Sequence, residues 1–117
     1  MKHALFGLIL ALIPGLALAG QATVVRAKAV KMGSGWRIDV TLRHADAGWD
    51  HYADGWGVYA PDGKKIAYRN LLHPHDDEQP FTRSLTGVKI PAGLGAVVIR
   101  GHDNVHGFGK PYTLKLP

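Results

Sequence analysis

From Trp36 to Arg43 the chain alternates without a break, with Trp36, Ile38, Val40 and Leu42 apolar and Arg37, Asp39, Thr41 and Arg43 polar or charged. Successive side chains of an extended strand point to opposite faces, so this period of two specifies a strand with one buried face and one wetted face. A sheet built on such a strand needs a second layer over its apolar side.

The rest of the chain supplies that layer. Thr23 to Met32 alternates more loosely, with Val25, Ala27 and Ala29 set against Arg26 and Lys28, and Gly33-Ser34-Gly35 turns it into the strong strand as a hairpin. Gly55 to Ala60 and Lys65 to Arg69 flank Pro61-Asp62-Gly63, an order that favours a tight turn. A loop with Pro74 and Pro80 precedes a strand from Phe81 to Leu85 that can extend through Val88 and Ile90, and a turn follows at Pro91-Ala92-Gly93. Ala96 to Arg100 and Tyr112 to Leu116 complete the set. Seven short strands with no helical stretch predict an all-β fold, an antiparallel seven-stranded sandwich of the immunoglobulin or fibronectin type III kind; a small β-barrel is the alternative.

Residues 1–19 have the order of a secretory signal peptide: basic Lys2 and His3, an apolar run from Ala4 to Leu16, and a small-x-small cleavage site at Ala17-Leu18-Ala19. The apolar run is short for a membrane span and is broken by Pro14-Gly15. Residues 20–117 are then a single domain, expected to be exported to the periplasm or secreted, monomeric, and without a stable membrane anchor once the leader is removed. The chain has no cysteine, which excludes a disulfide framework, a thiolate metal site and a lipid-carrying cysteine after the cleavage point. The formal net charge is +5, but the basic residues are scattered singly and only Lys64 and Lys65 are adjacent. Such scatter makes a solubilising surface rather than a nucleic-acid stripe, so no nucleic-acid partner is expected.

If each strand reverses the last, the segments after the second, fourth and sixth strands emerge at one end of the sandwich. These segments, roughly 44–54, 70–80 and 101–110, hold all six histidines beyond the leader (His44, His51, His73, His75, His102 and His106) and most of the acidic residues. Imidazole with carboxylate suits a divalent transition metal, Cu(II) or Zn(II), and His73-Pro74-His75 sets two imidazoles on one side of an extended segment. The expected ligands are His51, His73, His75, His102, His106 and Asp103. Soft Cu(I) is disfavoured, since Met32 is the only methionine beyond the leader. The competing reading of the same pole is a structural network in which imidazoles hydrogen-bond to neighbouring acids.

A second set of residues offers ligand contact or membership of that network: Trp49, Asp50, Tyr52, Asp54, Glu78, Arg83 and Phe108. Trp49, Tyr52 and Phe108 are the residues of an expected aromatic platform for a protein or glycan partner. Trp36 and Trp56 are assigned to the core. Arg83 shares a strand face with Phe81 and Leu85 and needs a carboxylate, with Glu78, Asp50 and Asp103 as candidates. No phosphate loop, dinucleotide fingerprint or nucleophile elbow is present, and catalysis is not expected.

The words GWDHYADGW, PDG, LLHPH and EQPFTRS, and a final H-D-x-V-H-G-x-G, occur in that order from Gly48 to the end. In them the chain resembles a family of small exported bacterial proteins. The resemblance implies that the loop pole is that family's hallmark and carries no activity or ligand with it. The expectation is therefore an exported binding domain, with a metal ion or an extracytoplasmic protein or glycan as its partner.

Overall fold

The computed structural model describes residues 20–117. The leader expected over residues 1–19 lies outside the described residues. Eight strands follow in order: β1 (Thr23–Met32), β2 (Gly35–Arg43), β3 (Ala53–Tyr59), β4 (Lys65–Asn70), β5 (Phe81–Val88), β6 (Ala96–Asp103), β7 (Gly107–Phe108) and β8 (Tyr112–Lys115). They pair antiparallel in two sheets, one ordered β1-β2-β5 and the other β4-β3-β6-β7, with β8 also paired to β6. Both sheets are open, which makes the fold a sandwich of the expected kind and not a closed barrel.

The additional element is β7, a short strand inside the segment 101–110 that was expected as a loop. Gly107 and Phe108 pair with Asp103 and His102, and Tyr112 to Lys115 pair further along the same edge of β6. Pro111 lies between them and has no N–H to give the ladder, so the edge strand is interrupted there. In β1 the register shifts between Val24 and Arg26, and the bulge turns Val24, not the expected Val25, into the core.

Both sheets contribute to the core, chiefly through Val24, Ile38, Val40, Leu42 and Phe81 from one layer and Trp56, Val58, Val97 and Ile99 from the other. Trp56 is fully buried as expected, while Trp36 is only partly buried against the cluster. Two strands extend their apolar rows into ionisable residues at the same end of the sandwich. In β2 the buried row Ile38, Val40, Leu42 reaches His44 one residue past the strand end, and in β6 the row Val97, Ile99, Gly101 ends at Asp103. The period-two geometry that builds the core thus delivers an imidazole and a carboxylate to its edge.

Glycine sets the approach of the first residues to this edge. A Cβ on Gly101 would lie 3.0 Å from Ala22 Cβ and 3.1 Å from Leu42 Cδ2, and one on Gly109 would lie 2.3 Å from the Ala22 carbonyl oxygen. Without side chains at these positions Ala22 lies flat against β6, and the chain before it is carried to the histidine-bearing pole.

Candidate metal centre

His44 and Asp103, both buried, face each other from different sheets. The His44 Nδ1–H donates to Asp46 Oδ1 at 2.5 Å, and the Asp46 side chain has no exposed surface. Asp46 is itself held by two backbone donors, Ala53 N at 3.0 Å to Oδ1 and His75 N at 2.6 Å to Oδ2. With Nδ1 committed to a carboxylate, the ring turns Nε2 toward the pole, where it meets the Gly20 carbonyl oxygen at 3.1 Å and where, once free of its proton, it could face a metal; a carboxylate behind a metal-binding histidine fixes its ring orientation in this way. The His44 N–H donates to Gln79 Oε1 at 3.0 Å, so the segment after β4 fastens the same residue.

His51 enters from the far end of the loop after β2. That loop folds back on itself through Gly48, whose φ of 64° few other residues adopt, and closes with Ala47 N donating to the His51 carbonyl at 2.7 Å. His51 Nε2 then lies 3.2 Å from His44 Nε2 and donates to Asp103 Oδ2 at 3.0 Å.

Asp103 closes β6 and shapes the turn that follows, accepting at Oδ2 from Val105 N at 3.1 Å and His106 N at 2.9 Å. His106 Nδ1 reaches the same oxygen at 3.1 Å. Burial raises the Asp103 pKa, but the His106 and Val105 backbone donors, the His106 ring and the nearby His44 outweigh it and hold the carboxyl below its ordinary value. Its other oxygen, Oδ1, is buried and has no partner among the described residues.

Three potential ligand atoms therefore converge: His44 Nε2, His51 Nε2 and Asp103 Oδ2. Their separations are 3.2, 3.0 and 3.9 Å. A triangle with those sides has a circumradius of about 2.0 Å, which is the Zn–N and Zn–O bond length. Tetrahedral ligands at such bond lengths stand about 3.3 Å apart. The donor set, two imidazoles and a carboxylate, is one that Zn(II) and Cu(II) accept. His106 stands beside it with its ring 4.9 Å from that of His51.

Of the ligands expected from sequence, the structure brings His51, Asp103 and His106 together and adds His44, which had not been chosen. His73, His75 and His102 lie elsewhere. His75 is buried flat on Phe81, ring centroids 3.9 Å apart, with both ring nitrogens lacking a partner among the described residues. Burial, with Arg83 and His73 nearby, lowers its pKa against the weaker opposing pull of Asp46 and Glu78. His73 is exposed, with its ring 4.7 Å from that of His75. His102 alternates with Asp103 and so leaves the other face of β6, where its Nδ1 pairs with Asp54 at 2.5 Å and its ring meets the edge of Phe108.

Arg83 finds Glu78 at 3.2 Å, one of its expected carboxylates. Trp49 is 64 % exposed and packs edge-on against Tyr52. Asp50 is exposed, and its carbonyl accepts from Asn104 Nδ2 at 3.4 Å. Phe108 is separate from that pair and lines a surface cleft of about 270 Å³ with Tyr59 and Arg100. The expected aromatic residues thus form two patches.

No known protein-family model matches the chain. A Halomicrobium mukohataei protein named "Putative lipoprotein" is 47 % identical over 77 residues, which is 66 % of this chain and 37 % of that protein. The chain thus spans little more than a third of the length of the relative it matches. In fold it is similar to the crystal structure of a hypothetical protein from Pyrococcus horikoshii OT3, with a TM-score of 0.56 and 13 % identity over 83 % of this chain and 90 % of the other.

Proposed function

We propose that this protein is an extracytoplasmic, non-catalytic binding domain in which His44, His51 and Asp103 hold one divalent transition-metal ion, Cu(II) or Zn(II), with His106 beside them on Asp103. The observation that carries this reading is the triangle of His44 Nε2, His51 Nε2 and Asp103 Oδ2, sized for a metal–ligand bond and drawn from two separate segments. The Asp46–His44 pair supports it, since an outer carboxylate is the usual companion of a ligating histidine. Binding would displace the His51 Nε2 proton that bonds to Asp103 without the metal. The name of the Halomicrobium mukohataei relative and the leader-like residues 1–19 support a location outside the cytoplasm.

Calorimetric titration of chelator-stripped protein with Cu(II) and Zn(II) tests this. Saturation at one equivalent is expected in the wild type and in His73→Ala/His75→Ala, with at least a tenfold weaker affinity in His51→Ala. Absence of saturable binding, or equal binding in His51→Ala, would sink the reading.

A second reading has its own observation, the exposed Trp49 packed on Tyr52. Aromatic pairs of this kind suit a glycan or protein contact. On that reading Trp49→Ala abolishes partner capture while leaving metal affinity unchanged.

A further inference from the structure

Gly20 lies at the candidate metal centre although it precedes the first strand. Its carbonyl oxygen is 3.1 Å from His44 Nε2, and a Cβ on it would fall 2.5 Å from His106 Cε1 and 2.9 Å from His106 Nε2. The nitrogen of a residue is about 2.5 Å from its own Cβ position, so the Gly20 nitrogen stands within about 5.5 Å of His106 Nε2. Only a residue without a side chain comes this close to the ring without displacing it. Gly20 also follows Ala17-Leu18-Ala19, the cleavage site of the leader-like segment.

We infer that cleavage between Ala19 and Gly20 creates a metal ligand, the new α-amine of Gly20, which binds the ion held by His44, His51 and Asp103. Hydrolysis by an export peptidase breaks the Ala19–Gly20 peptide bond, water supplying the hydroxyl to the Ala19 carboxyl and a hydrogen to the Gly20 nitrogen. Before cleavage that nitrogen is an amide whose lone pair is delocalised into the carbonyl, and it is a poor donor. Afterwards it is a primary amine, which binds Cu(II) or Zn(II) as imidazole does once it has lost its ammonium proton to solvent. The Gly20 carbonyl oxygen, already beside His44 Nε2, lies on the same residue and can close a five-membered N,O chelate with the amine.

The buried Asp103 Oδ1, without a partner among the described residues, is a second sign that this pocket is built around a cation. The inference rests on the metal reading above and makes it conditional on export: the full site exists only in the processed chain. It also gives a physical role to glycine at the cleavage point, where any Cβ would meet the His106 ring.

The test expresses the full chain with export and purifies the processed protein. A partner variant with one Ser inserted between Ala19 and Gly20 moves the amine one residue away. Intact mass should place the wild-type start at Gly20. Cu(II) should bind the wild type at least tenfold more tightly than the insertion variant. The electron paramagnetic resonance of the Cu(II) complex should show nitrogen superhyperfine splitting that changes when the protein is grown on ¹⁵N-glycine, in the wild type alone. A start elsewhere than Gly20 overturns the proposal, as do equal affinities with a spectrum insensitive to the label. If His51→Ala abolishes binding while the insertion does not, the metal centre stands and the amine ligand falls. Absence of Cu(II) binding in every form overturns both.

Discussion

His75 shows how one side chain can make stability depend on pH without belonging to a binding site. Its ring is buried on Phe81 with neither nitrogen partnered among the described residues, and its pKa is lowered chiefly by burial. The unfolded chain takes up this proton near the ordinary imidazole value of 6.5, while the folded chain resists it. Below that pH the unfolded state binds more protons, so stability falls as pH falls through and below 6.5 and is fully present above it. Arg83 and His73 add to the resistance, and Asp46 and Glu78 oppose it. His75→Phe keeps an aromatic ring on Phe81 and removes the titration. Urea unfolding at pH 8 should show a change within about 1.5 kcal/mol, and the loss between pH 8 and pH 5 should be smaller than in the wild type. Parallel pH dependence in the two proteins would rule this role out.

At the scale of elements, glycine decides how closely β1 and its leading residues approach β6 and the strands beside it. Gly109 is buried, and a Cβ there would meet the Ala22 carbonyl oxygen at 2.3 Å, a backbone contact that cannot be relieved by turning a side chain. Gly109→Ala should therefore cost about 1–3 kcal/mol in urea unfolding. It should also weaken Cu(II) binding, because displacing Ala22 carries Gly20 away from His44 and His106. Unchanged stability would contradict the close packing of Ala22 on Gly109.

The strands themselves were largely legible, since alternation in β2 and the turn at Pro61-Asp62-Gly63 depend on neighbours in sequence. The bulge after Val24 and the short strand β7 were not, because each depends on what the neighbouring strand offers. The site was half legible. Reversing strands gathered the right loops at one pole, but loop membership does not say which way a histidine faces. Carrying the parity of Ile38, Val40 and Leu42 one step further selects His44, and carrying Val97 and Ile99 further selects Asp103 over His102. Of His73 and His75, the most conspicuous pair in the sequence, His75 is taken up by a stack on Phe81 that only the fold creates, and His73 is left exposed beside it.

For the molecule as a whole, the candidate ligands come from both layers: His44 and His51 follow β2 of one sheet, and Asp103 ends β6 of the other. A ligand that binds only the folded state adds about 2.7 kcal/mol when its free concentration is 100 times Kd. Most of that gain should appear as slower amide exchange near the site, at Ala22 to Val24 and Gly101 to His106, when Zn(II) is added. Exchange at Gly33 to Gly35 and at Asp62 to Lys64, at the opposite pole, should change least, and a uniform slowing along the chain would contradict this placement. The sandwich has no disulfide between its layers, since the chain has no cysteine. An ion held between His44 and Asp103 would take that part as a reversible rivet, fastening the two sheets at one end only, and its loss would let them hinge open from the end that carries Gly20.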